Sequence, residues 1–289
     1  MRRTAVAIAL TVALAACGGG GGGDPLAGGP APEDIRLQPG DRPVRFRLDT
    51  AVPEDTKAFL VESLQWAHAD LGDSGPLTIH VYSNEDHFVE ADVNDFAISR
   101  QDARAELDGG EFAFAGDGGH IWIYLPNFDV DPPDEQRLTL FHEYFHTVQA
   151  WLAELRFQSE KPEEQSFVPR WLVEGCAEYL AVHAGAARGL DDESARRELV
   201  VRLAKRGTES LVALETGGAA DFIGGSNSAY TTGYLACERL SLTRGQAAVM
   251  TRFWASLATL RSWTKAFSEA FGMTPEAFYA DFAAYRATL

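Results

Sequence analysis

His142-Glu143-Tyr144-Phe145-His146 is the stretch whose reading decides this chain. It lies in a segment whose apolar residues recur at helical spacing from about residue 134 onward. Two side chains four residues apart on a helix leave the same face, one turn from each other. Two neutral imidazoles at that spacing reach a single Zn²⁺ at about 2.0–2.1 Å. Glu143 is adjacent and suits a general base that holds a water against the metal. The plain alternative is a pair of satisfied histidines on a buried helix, and the residues downstream decide between the two.

A hydrolytic zinc site needs a third protein ligand and one open position. Downstream, PRWLVEGCAEY at 169–179 supplies Glu174 and Glu178, which again share one helical face. Trp171, Leu172, Leu180 and Val182 mark this helix as an interior one. Two carboxylates there are costly unless a cation or a donor answers them, so both are read as linked to a metal.

H-E-x-x-H followed by W-L-x-E-G-x-A-E-Y resembles the gluzincin zinc metallopeptidases of the peptidase-MA-like superfamily, which has thermolysin-like and aminopeptidase-like members. The resemblance covers about residues 110–289 and is specific at 142–146 and 171–179. It implies one Zn²⁺ per chain held by His142, His146 and Glu174, with Glu178 orienting a ligand histidine. Glu143 would be the general base of peptide-bond hydrolysis. The segment YTTG at 230–233 is similar to the family's Y-x-x-G, which implies that Tyr230 stabilises the tetrahedral intermediate. On the residues alone, Tyr230 reads as a helix-start packing residue and Tyr234 as its competitor.

Aminopeptidase-like members also carry a G-x-M-E-N segment whose Glu holds the substrate amino group. GDGGHIWIY at 116–124 contains no such Glu, so an endopeptidase is expected rather than an aminopeptidase. The gap between His146 and Glu174 is longer than the aminopeptidase-like spacing, and an inserted loop at about 158–168 accommodates it. The other class of function is a catalytically inactive zincin-fold protein that binds or scaffolds.

Working outward, the expected fold is α+β: a small mixed α/β N-terminal region, then a mostly helical zincin-like C-terminal region, with the change near residue 130. An amphipathic helix is expected at 53–71, strands at 77–83 and 112–115, and a strand at 120–126 that reads equally as a substrate-edge strand or a core strand. Asp131 is expected to cap the zinc-site helix, which should run to about residue 157. Helices are expected from 169 to about 184, and at 192–206, 228–241, 244–258, 262–270 and 275–287. Cys176 and Cys237 read equally as a disulfide or as two buried thiols.

MRRTAVAIALTVALAAC at 1–17 has a basic start and an apolar run too short to span a bilayer, and its end resembles the bacterial lipobox. The expectation is a signal peptide at 1–16, a lipidated Cys17, a tether or lead-in at 17–52 with one short strand at 44–48, and a catalytic domain at 53–289. That places the protein in a bacterial cell envelope, anchored to the membrane by lipid. The chain has 289 residues and a formal net charge of -17. No basic stripe exists to track a nucleic-acid backbone, and the gluzincin resemblance implies a peptide or protein substrate. Oligomeric state stays open.

Overall fold

A computed structural model describes residues 26, 29–96, 98–108, 113–116, 119–154, 167–216 and 228–289. The signal segment, Cys17 and most of the 158–168 loop lie outside the described residues.

Five strands form one sheet: β1 (Glu33–Arg36), β2 (Pro43–Leu48), β3 (Thr78–Tyr82), β4 (Ala113–Gly116) and β5 (His120–Tyr124). Their order is β1-β2-β3-β5-β4. The central pairs β2–β3 and β3–β5 are parallel, and the outer pairs are antiparallel. A parallel centre needs cover on both faces, and the strands alternate accordingly. Phe46, Ile79, Val81, Ile121 and Ile123 face the main core. Tyr82, Phe114 and Trp122 face a second apolar cluster.

Helix α1 (Glu54–Leu71) puts Leu60, Leu64, Ala67 and Leu71 into the main core. On the opposite face, α2 (Glu85–Phe96) and α3 (Arg100–Asp108) bring Phe88, Val89, Ala103 and Leu107 onto Tyr82 and Trp122. After β5 a single turn, α4 (Leu125–Phe128), leads into α5 (Pro133–Ala153).

The helical region continues with α6 (Arg170–Ala187), α7 (Glu193–Ala204) and α8 (Ser228–Arg244). A π-helical turn (Ala248–Arg252) precedes α9 (Phe253–Leu260), and α10 (Trp263–Phe271) and α11 (Pro275–Arg286) close the chain. Phe267, Phe271, Phe278 and Phe282 are buried in the same core that reaches the sheet. One apolar cluster therefore runs from Leu37 to Phe282.

Four expectations need revision. The strand at 120–126 is β5, and both of its sides are paired, with β3 and with β4. From His120 to Ile123 both sides of the strand are occupied, so the outer strand of the sheet here is β4. Asp131 does not cap α5: Pro132 occupies the N-cap without a side-chain bond, and Pro133 opens the helix. Gln136 reaches back instead, donating to the carbonyls of Phe128 at 3.1 Å and Asp131 at 2.9 Å. The helix also ends early, because Glu154 adopts φ 49 and turns the chain, with Arg261 donating to its carbonyl at 3.2 Å. Finally, the stretch read as a lead-in contributes β1 and β2, so the sheet begins upstream of residue 53.

Candidate metal centre

Helix α5 passes beneath the sheet and is buried on nearly every side around the motif. Phe141, Tyr144 and Phe145 fill the core while His142 and His146 turn toward Glu174 of α6. Helix α6 answers with Glu174, fully buried at 0% exposure. His142, His146 and Glu174 each offer one ligand atom, and these atoms lie within 4.8 Å of one another. His142 Nε2 and His146 Nε2 are 3.0 Å apart, and Glu174 Oε2 is 3.4 Å and 3.3 Å from them.

Both oxygens of Glu174 are buried without a hydrogen-bond donor. A buried carboxylate in that state is strongly disfavoured unless a positive charge meets it. The electrostatics of the bare protein say the same. Burial works against ionised Glu174, yet the imidazoles of His146 and His142 hold its pKa far below the usual carboxylate range. Burial also works against a charged His142, but Glu174 and Glu178 push its pKa up to about 10. A two-nitrogen, one-oxygen donor set converging on one point is what a divalent ion of the zinc class takes. The residues fit one such ion.

Each ligand histidine has a polar partner on its far nitrogen. Glu178 Oε2 lies 3.3 Å from His142 Nδ1, an ion-pair contact outside good hydrogen-bond alignment. His146 Nδ1 is 2.8 Å from Gln149 Oε1, and Gln149 was not singled out by the sequence. It was legible only as a polar residue one turn beyond His146 on a helix with little exposed surface.

Glu143 sits between the ligands and the edge strand. It is fully buried, and no side chain donates a hydrogen bond to its oxygens. Burial pushes its carboxyl up to about 7 against the pull of the two histidines and of the Ala115 amide on β4.

Tyr230 opens α8 and stacks against His142, ring centroids 5.9 Å apart and planes 26° from parallel. Burial and then Glu174 push its phenol well above the ordinary range, opposed by Arg170, whose guanidinium hydrogen-bonds the phenol oxygen. Arg170 lies one turn before Glu174 on α6, and nothing in the sequence pattern marks it as part of the site. Tyr234, the competitor, instead packs edge-on against Tyr179 at 5.5 Å. Helices α6 and α8 are joined by a Cys176–Cys237 disulfide, Cα atoms 5.3 Å apart, which resolves the choice left open above.

Scanned against known families the sequence matches none, and no curated protein matches it. Solved structures do match. An M1 zinc metallopeptidase from Deinococcus radiodurans superposes with a TM-score of 0.51 at 15% identity over 88% of this chain. Its E323A mutant gives 0.51 at 16% identity over 86%. A two-domain M1 zinc metallopeptidase E323A mutant bound to L-tryptophan gives 0.50 at 16% identity over 86%. The fold is that of the M1 zinc metallopeptidases. This chain spans 50% of the length of those proteins. Within this M1-like fold, His142, His146 and Glu174 form the one candidate metal cluster among the described residues.

Proposed function

We propose that the protein is a zinc-dependent peptidase and that its site is a working one. The observation that carries this is the convergence of His142, His146 and Glu174 beside a buried carboxylate, Glu143, that no other side chain hydrogen-bonds. A zinc ion held by the three would polarise a substrate carbonyl and lower the pKa of an attacking water toward neutrality.

Every other role belongs to the chain. Glu143 takes the water's proton and passes it to the leaving amine, and a carboxyl near 7 in the bare protein marks a group that exchanges protons readily. Tyr230 presents its O–H to the carbonyl oxygen as charge develops there. Arg170 donates to the phenol oxygen, which leaves the phenol proton for that task. Glu178 and Gln149 hold the histidine rings. β4, the sheet's outer strand beside α5, is where an extended peptide would add to the sheet.

Endopeptidase action is favoured over aminopeptidase action because the four residues of β4, Ala113–Gly116, carry no carboxylate for a substrate amino group. The flanking acids, Glu111 and Asp117, lie outside the described residues. Zinc-loaded protein should cleave N-acetylated and free peptides alike. Glu143→Gln should retain one equivalent of zinc and lose about 10²-fold or more in kcat. An equally active Glu143→Gln protein would sink the mechanism. If the zinc-loaded wild type cleaves no member of a mixed peptide library, a binding or scaffold role takes its place.

Export to an oxidising compartment, with a lipid on Cys17, accords with the Cys176–Cys237 disulfide, since such bonds are rare in the cytosol. Cell fractionation tests it: Cys17→Ser should move the protein from the membrane to the soluble fraction, and unchanged membrane association counts against the anchor.

A further inference from the structure

Gln149 is fully buried on α5, three residues beyond His146. A side-chain amide away from water is costly unless its groups are answered, and both ends of this one are. Its Nε2 donates to the carbonyl of Val173 at 3.0 Å. Its Oε1 lies 2.8 Å from His146 Nδ1. The Val173 carbonyl can only accept, which settles the orientation of the amide: the NH₂ points to α6 and the oxygen to the imidazole. An amide oxygen can only accept in its turn. His146 must therefore carry its proton on Nδ1, and the lone pair of Nε2 points at Glu174 and His142.

We infer that Gln149 is the positioning residue of the metal centre, fixing the tautomer and the tilt of His146 and tying that ligand to the segment that presents Glu174. The inference rests on the metal-site reading above. Val173 immediately precedes Glu174, so one side chain joins the two helices that supply all three ligands. The partner of His142 is a carboxylate, whereas the partner of His146 is a neutral amide. An amide holds a ligand ring without adding negative charge beside the ion. This leaves more of the ion's positive charge to act on substrate and water than a second carboxylate would.

Two measurements on the full chain test this. Zinc affinity is read by competition with a chromophoric chelator, for the wild type and for Gln149→Met, which keeps the bulk and removes both hydrogen bonds. Gln149→Met should bind zinc about 10–100-fold more weakly at unchanged secondary structure, as losses of outer partners of metal ligands do. A role in packing alone predicts equal affinity, and that result overturns the inference while leaving the metal site standing. A wild type that binds no zinc overturns both. The second measurement needs no variant: long-range ¹H–¹⁵N spectra of histidine-labelled wild type report which ring nitrogen is protonated. A slowly exchanging Nδ1 proton on His146 is expected, and a proton on Nε2 would overturn the assignment even if Gln149→Met does not fold.

Discussion

At the scale of single residues, the three ligands and Glu143 are legible in the sequence because helical spacing alone aims them. Tyr230 is different. It comes from α8, far along the chain, and reaches the site only because its ring stacks on His142. Its proposed task is to donate a hydrogen bond to an oxygen that becomes negative in the transition state and is nearly neutral before it. Removing such a donor lowers kcat and leaves substrate binding almost untouched. Tyr230→Phe should thus reduce kcat by about 10²–10³-fold with KM and zinc content close to wild type. Steady-state kinetics on one peptide decide it, and a change confined to KM would reassign Tyr230 to substrate binding. Gln149 and Arg170 escaped sequence reading for a related reason. Gln149 is one turn from His146, but the Val173 carbonyl that orients its amide and the Tyr230 hydroxyl that meets Arg170 lie on other elements, and no spacing rule links them.

At the scale of elements, the contact between α6 and α8 matters most, since it joins the Glu174 helix to the Tyr230 helix. Gly175 and Gly233 meet there without side chains. A Cβ on Gly175 would lie 2.1 Å from the Gly233 carbonyl carbon and 2.4 Å from its Cα. Backbone cannot yield at that distance, so the helices would have to part, and the Cys176–Cys237 bond one residue away resists parting. Gly175→Ala is expected to destabilise by about 1–3 kcal/mol, as overpacking does, and to lower kcat by shifting Tyr230 from Glu174. Thermal unfolding and kinetics together check this, and a variant as stable and active as wild type would refute it.

Helices with a strong apolar rhythm were readable to within a few residues, α6 and α11 among them. α3 was not, because RQDARAELD buries only Ala103 and Leu107 among its described side chains. β1 was missed as well: EDIR is an outer strand, mostly exposed, with one apolar residue to signal it. Which strand forms the edge beside α5 depends on sheet order, a property of the assembled sheet and of no single strand.

At the scale of the whole molecule, unfolding couples to pH through the face of the sheet away from the metal centre. His80 is buried there, its ring stacked on Trp122 at 5.1 Å and its Nε2 2.9 Å from His120 Nδ1. Burial, then His120 and Arg47, push its pKa from 6.5 down to about 3. An unfolded chain protonates this ring at its ordinary value. Between the two values the unfolded state therefore holds more protons than the folded state, and stability rises with pH. The contribution is fully present above about pH 6.5 and is lost as pH falls toward 3. At about 1.4 kcal/mol per unit, roughly 2 kcal/mol is gone near pH 5. Phenylalanine keeps the stack on Trp122 and cannot take a proton. Urea midpoints measured from neutral pH down to about 4 should fall less steeply for His80→Phe than for the wild type. Titration of the metal ligands is common to both proteins and cancels in the comparison. Parallel pH profiles would show that the acid sensitivity of the fold lies elsewhere, and a shallower profile in the variant places it on the stacked ring of β3.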